Sequence, residues 1–320
     1  MRAIRAAIVV TAAVLAPLAA LAQSPDRPVM LVVGASPGGG VDRTARILAQ
    51  ELGARLHVDV VVENRAGGGT RLAGDYVAKA APDGHTLLFT TGESTVDLAF
   101  DAHATPSILR DFTPVTRVAV TPTILVVRAS SPMKSVGDVV ARAQREPGKL
   151  NYSTAGVKST MHLVGEIFKR ESRADIVHIP YKGSVPALTA LMGGDVDMTF
   201  VSLASALPYL DAGKLRALAV ADTRRTPLAP NVPTFAEAGV RDVVSVIWNG
   251  ILAPVGTPVA VVERIANAVA GVSSSPAYRR QLATMAEQPA PTSPAQFGTM
   301  LRDDVATYAR IIGSAGILAE

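Results

Sequence analysis

A chain of 320 residues has room for one large domain or two smaller ones, and 48% hydrophobic residues can supply a sizeable core. Aromatic residues make up only 4%, so that core must rest on Ala, Val, Leu and Ile. The formal charge of +4 shrinks to 29 basic against 27 acidic residues once Arg2 and Arg5 are set aside; with no basic run and no interleaved aromatics, a nucleic-acid partner is not expected.

Residues 1–22 read as a secretory signal peptide. Arg2 and Arg5 form a basic start, an apolar, Ala-rich run extends from Ile4 to Ala20, and Ala20-Leu21-Ala22 is a small-x-small exit with cleavage expected after Ala22. Pro17 interrupts the run and argues against a membrane anchor. No later stretch offers ~18 unbroken apolar residues. The chain has no cysteine, hence no disulfide and no lipid-modified cysteine behind that run; a soluble periplasmic protein is the expectation.

Val29–Val33 is short, apolar and closed by Gly34, the pattern of a buried strand. Ala45, Leu48, Ala49 and Leu52 recur at a helical period within 42–56. A β-branched strand over 58–62, a second glycine loop over 64–69, a helix over 70–80, a Pro82-Asp83-Gly84 turn and a strand over 86–90 follow. This alternation predicts a parallel α/β unit with right-handed crossovers. A second unit has strands over 123–127, 149–153, 176–179, 196–200 and 215–220. Its helices cover 135–145, opened by Ser135 and closed by Pro147-Gly148, then 159–170 and 185–192. A loop with Pro227, Pro230 and Pro233 leads to a strand over 243–252 holding the only Trp, and helices over 259–272, 277–285 and 294–314 close the chain. The layout predicts two α/β lobes, 23–118 with 244–320 and 119–243, the second inserted into the first and the last helices returning to lobe one. Ligands of open α/β sheets sit outside the carboxyl ends of strands, where the loops after Val33 and Ser153 fall.

The loop "GASPGGG" at 34–40 contains Gly34-x-Ser36-x-Gly38, the letters of a serine hydrolase elbow. The residue after that serine must lend its N–H to the oxyanion, and here it is Pro37, which has none. Losing one such donor costs about 3 kcal/mol, and nothing upstream leaves room for the rest of such a site. Gly38 to Arg43 lacks the last glycine of a dinucleotide fingerprint, and no P-loop is present. His57, His85, His103, His162 and His178 stand apart without metal-ligand spacing, so no metal and no cofactor are called for. Two readings of Pro37-Gly38-Gly39-Gly40 stay open: an anion cradle at a helix N-terminus, or a plain tight turn with Asp42 as N-cap. The loop from Ser153 to His162 has the same strand-to-helix form, with hydroxyls, backbone donors and Lys158. His162, in the first helical turn, reads as a packing or capping residue.

Many short motifs, in one order over the mature chain, carry a resemblance. They include Pro37-Gly38-Gly39-Gly40-Val41-Asp42, Val61-Val62-Glu63-Asn64-Arg65-Ala66-Gly67 and Ala81-Pro82-Asp83-Gly84-His85-Thr86-Leu87. Further on are Ser153 to His162, His178-Ile179-Pro180-Tyr181-Lys182-Gly183-Ser184, Gly193-Gly194-Asp195-Val196-Asp197-Met198 and Val232-Pro233-Thr234-Phe235-Ala236-Glu237-Ala238-Gly239. The sequence resembles the Bug family of periplasmic solute-binding proteins, the receptors of tripartite tricarboxylate transporters. The resemblance implies a two-lobe, type II Venus-flytrap α/β fold with parallel-rich sheets. It implies a non-enzymatic receptor that takes a small organic anion (a di- or tricarboxylate, an acidic amino acid or a related carboxylate) and passes it to membrane subunits. Reporting to a sensor is the alternative output, an exported hydrolase using Ser36 the alternative class, and a monomer the expected state.

By that resemblance the carboxylate is held by Pro37, Gly38, Gly39, Gly40 and Asp42, often through waters, and by the loops carrying Thr91, Glu93 and Ser94 and Ala155, Gly156, Lys158 and Ser159. Ser202 joins this set. Three positions depart from the family pattern: Lys158 where a small residue is usual, Val201-Ser202 in place of Asp-Asn, and Glu93 in a usually neutral loop. Lys158 favours a more anionic ligand, and Glu93 opposes it or pairs with Lys158 or a ligand amine. Trp248 borders the cleft or packs the hinge; Asp195 and Asp197 fit turn capping better than paired-carboxylate chemistry; Tyr181 to Ser184 organise a strand-to-helix turn. The hinge is expected near 118–127 and 243–252.

Overall fold

The computed structural model describes residues 27–67 and 70–315; the expected signal peptide lies outside them. In chain order the elements are β1 (Val29–Val33), α1 (Gly40–Leu56), β2 (Val60–Asn64), α2 (Arg71–Ala78), β3 (Thr86–Thr91), α3 (Glu93–Phe100) and β4 (Phe112–Arg128). Then come α4 (Val136–Arg145), β5 (Asn151–Thr154), α5 (Thr160–Ser172), β6 (Val177–Pro180), α6 (Ser184–Gly193), β7 (Met198–Ser202), α7 (Leu203–Asp211) and β8 (Leu215–Val220). The chain closes with β9 (Val246–Pro254), α8 (Val259–Ser273), α9 (Pro276–Ala283), β10 (Gln288–Pro289) and α10 (Pro294–Ala315).

One curled mixed sheet runs β2-β1-β3-β9-β4-β7-β5-β6, with β8 and β10 also on β4. Its two halves share β4. Residues 112–122 of β4 pair with β9, and residues 123–128 pair with β7 and β8. In the first half β1 lies parallel between β2 and β3; in the second, β5 lies parallel between β6 and β7. Both faces are covered, which is why strands such as Val29–Val33 read as continuous apolar runs. Side chains alternate accordingly: Leu125 and Val127 enter the core under α4 and α5, while Ile124 and Val126 enter the core under α6 and α7.

Start and stop chemistry is local. Ser135 and Asp138 form a reciprocal capping box on α4, as the Ser135 start signal predicts. The N-cap of α1 is Gly39 rather than Asp42, which sits in the first turn. Four features depart from expectation. The first half of β4 contains Pro114 and Pro122, and proline argues against a strand; register shifts between Pro114 and Thr116 and between Arg117 and Ala119 accommodate the irregular pairing. Only Gly92 separates α3 from β3, α7 holds Pro208 in its interior, and β10 is two residues long.

The C-terminal helices divide their packing. Val262, Ile265, Val269, Tyr278 and Leu282 of α8 and α9 join Leu48 and Leu52 of α1 in the first half. The helix α10 reaches further: Phe297 and Leu301 pack with Trp248 in the first half, while Tyr308 and Ile311 belong to the second-half core with Phe168 and Phe200. Similarly, Leu98 of α3 packs in the first half and Val96 in the second.

Candidate functional site

Register fixes where the strand ends lie. Thr91, the last residue of β3, pairs with Asn249, which pairs with Ala119 of β4; Ser202, the last residue of β7, pairs with Thr123 of β4. The carboxyl ends of the two half-sheets therefore meet over four residues of one strand, roughly 13 Å. The loops 34–40 and 155–159, and the strand-to-helix turns 91–94 and 202–205 that open α3 and α7, all issue from these ends.

Asp42 shapes the first loop from below. Its carboxylate accepts from Gly38 N at 2.8 Å, Arg46 Nε at 2.9 Å and Asn64 Nδ2 at 2.8 Å. Burial works to raise its pKa, but Arg46, Gly38 and Asn64 outweigh burial and bring it down to about 2. Asn64 also donates to Ala35 O, tying the second motif to the first loop. Gly34 is required as glycine: a Cβ there would lie 2.7 Å from Thr70 Cβ. Pro37, Gly38 and Gly39 are exposed ahead of α1 and Gly40 is exposed as its first residue; the first-turn N–H groups have no partner within the helix. Ser36 is exposed on the same loop, while His57 and His85 sit at the far ends of α1 and β3.

The second loop carries hydroxyls. Ser94 Oγ lies 2.6 Å from Thr90 Oγ1 and 3.3 Å from Thr70 Oγ1, so Ser94 ties the second segment to Thr70, the residue that packs against Gly34. Gly92 N donates to Trp248 O at 3.1 Å. Trp248 is fully buried, edge-on to Phe297, with its indole N–H on Asp304; of its two readings, packing at the junction holds. Glu93 Oε1 accepts from Thr160 Oγ1 at 3.1 Å, which links the two half-sheets directly. Burial pushes the Glu93 carboxyl above its ordinary value, against that hydrogen bond.

In the third loop Gly156 holds φ 144° and Lys158 a positive φ of 66°. Ser159 caps α5, accepting from His162 N, and its hydroxyl donates to Gly156 O at 2.8 Å. The Lys158 ammonium sits 5.3 Å from the Phe100 ring centroid. The carboxylate that feels it is Asp97, which burial raises while Arg71 and Lys158 pull it down. Tyr181 N and Gly183 N donate to Thr154 O and Ala155 O, so the turn after β6 braces this loop. Ser202 caps α7 by accepting from Ser205 N. Val201 is buried under α6 and α7, so of that pair only Ser202 reaches the junction.

The fold thus groups Thr91, Glu93 and Ser94 with Lys158 and Ser159, and shows Asp42, Ser159 and Ser202 engaged in holding their own loops. Sequence reasoning missed Thr70, Thr90 and Asp97, and took Thr160 only as part of the 153–162 loop. Asn64 lies in a recognised motif, but its bond to Asp42, 22 positions away, has no local signature. Among the described residues, no three His, Cys, Asp or Glu side chains are grouped as a metal ion would need.

The sequence matches the tripartite tricarboxylate transporter family receptor over residues 44–317. The chain belongs to this receptor family. The Bordetella pertussis protein BugT is similar to the receptor, 33% identical over 312 residues that cover 96% of this chain and 95% of BugT. Among solved structures, the periplasmic binding protein BugD is 27% identical with a TM-score of 0.70, covering 92% of this chain and 99% of BugD. A Rhodopseudomonas palustris protein, Rpa4515, solved with adipate, is 34% identical with a TM-score of 0.75, covering 91% of this chain and 98% of its own. The receptor therefore has the α/β periplasmic binding-protein fold of the Bug type. The family is one of transporter receptors, and adipate is the ligand of Rpa4515.

Proposed function

We propose that this receptor captures a small dicarboxylate, or a related organic anion, between its two half-sheets in the periplasm and delivers it to the membrane subunits of a transporter. The observation that supports the reading is the meeting of four short strand-to-helix connections, at the carboxyl ends of β1, β3, β5 and β7, over four residues of β4. Open backbone donors at the start of α1 suit a carboxylate, and ordered water can complete the contacts. Lys158 adds positive charge at the second-half loop. Burial disfavours the ionised form of Glu93, which lessens its repulsion of a carboxylate. Adipate in a relative 34% identical supports the ligand class.

A thermal-shift panel of succinate, adipate, citrate, glutamate and neutral sugars tests it. Acids are expected to raise the melting temperature, with stabilisation near 2.7 kcal/mol at a hundred times Kd. Stabilisation by sugars with no response to any acid overturns the reading.

A further inference from the structure

His178 and His162, 16 positions apart in sequence, lie with their rings stacked, centroids 3.9 Å apart at 14°. Tyr152, the cross-strand neighbour of His178, flanks it at 4.9 Å. His178 Nε2 lies 2.8 Å from Thr154 Oγ1. That hydroxyl in turn is 3.3 Å from Gly156 N and 3.2 Å from Gly156 O. Gly156 O accepts from Ser159 Oγ, and Ser159 Oγ accepts from His162 N. The path from His178 through Thr154, Gly156 and Ser159 to His162 is closed by the stacked rings, and it encircles the third loop.

Two properties make this circuit a holder of shape. Thr154 has one hydroxyl proton and is fully buried, so its rotor is set by the imidazole beside it. With Nε2 as acceptor, Gly156 N–H gives to Oγ1 and Oγ1–H gives to Nε2; with Nε2–H as donor, the hydroxyl proton turns to Gly156 O. Either tautomer fixes Gly156, whose φ of 144° a side-chain-bearing residue rarely adopts. Behind the rings, Glu166 Oε1 accepts from Tyr152 OH at 2.7 Å and Lys169 Nζ at 2.9 Å, and lies 3.9 Å from His162 Nε2. Burial, with His162 and Lys169 nearby, presses the His178 imidazole down to about 3, so the ring is neutral at physiological pH.

We propose that the His178–His162 pair is a clasp that holds the 154–159 loop in its binding form, making His178 a positioning residue for ligand affinity. The link to affinity rests on the function proposed above. His178→Phe keeps the ring and removes Nε2; Thr154→Val removes the hydroxyl; His178→Gln restores a polar atom near Oγ1. With adipate as probe, H178F and T154V should each weaken binding about tenfold, the double variant should lose no more than either alone, and H178Q should recover most of the loss. Amide hydrogen exchange, read without ligand, should speed up at least tenfold at 155–159 in H178F and T154V while α6 and β7 keep their protection.

Unchanged exchange at 155–159 in folded H178F and T154V overturns the clasp. Faster exchange with unchanged adipate affinity overturns its role in binding. Should H178F fail to fold, T154V carries both readouts. A wild-type protein that answers to no acid refutes the ligand class, and exchange then decides the clasp alone.

Discussion

Two buried carboxylates at the junction have opposite linkage to pH. Asp42 falls from 3.8 to about 2, so the stability it lends is present above pH 3.8 and lost as pH falls through 2. Glu287 does the reverse. It is buried, accepts from Thr44 Oγ1 at 2.9 Å and from Asn249, and burial raises it from 4.5 to about 7. Its folded form binds the proton more tightly than the unfolded chain does. The favourable contribution is therefore full below pH 4.5 and fades as pH rises through 7. Glu287→Gln, which never ionises, should exceed the wild type in stability by roughly 3 kcal/mol at pH 8, with the gap closing below pH 4.5. Melting temperatures across that range check it; a constant gap at all pH values contradicts the assignment. The nearest chain neighbours make the site legible in part. Ser159 and Gly156 announce a strand-to-helix loop in sequence, whereas Glu287 touching Thr44 across 243 positions leaves no trace there.

At the scale of elements, α10 matters most because it is shared. Its first turns pack beside Trp248 and its last turns insert Tyr308 and Ile311 into the other core. Ile311 is 1% exposed, so Ile311→Ala should cost about 2–4 kcal/mol. Calorimetry should still show one endotherm, shifted down; two endotherms, one at the wild-type temperature, would mean the halves melt apart. Most elements were readable. Val29–Val33 and Leu215–Val220 fall where their apolar runs place them. The first half of β4 was hidden by Pro114 and Pro122, and α7 by Pro208, because these prolines break the pattern that local reading relies on. Nothing in the spelling of α3 says that Val96 and Leu98, two residues apart, serve different cores.

Over the whole molecule, β4 belongs to both half-sheets, so the halves are joined there by a paired strand rather than by a loose linker. One chromophore sits at that joint. The chain has a single tryptophan in 320 residues, and it is lodged where the halves join. Its indole N–H is bonded to Asp304, whose carboxyl burial raises to about 6, and its ring faces Gly92, the residue before Glu93. A ligand that shifts residues 91–94 by a fraction of an ångström changes the packing and the electric field at that ring. The protein therefore carries its own optical gauge. Intrinsic fluorescence should change in intensity or wavelength on titration with any acid that binds, and the change should saturate at the affinity measured by thermal shift. A spectrum that stays fixed while the melting temperature climbs would place the ligand away from the 91–94 loop.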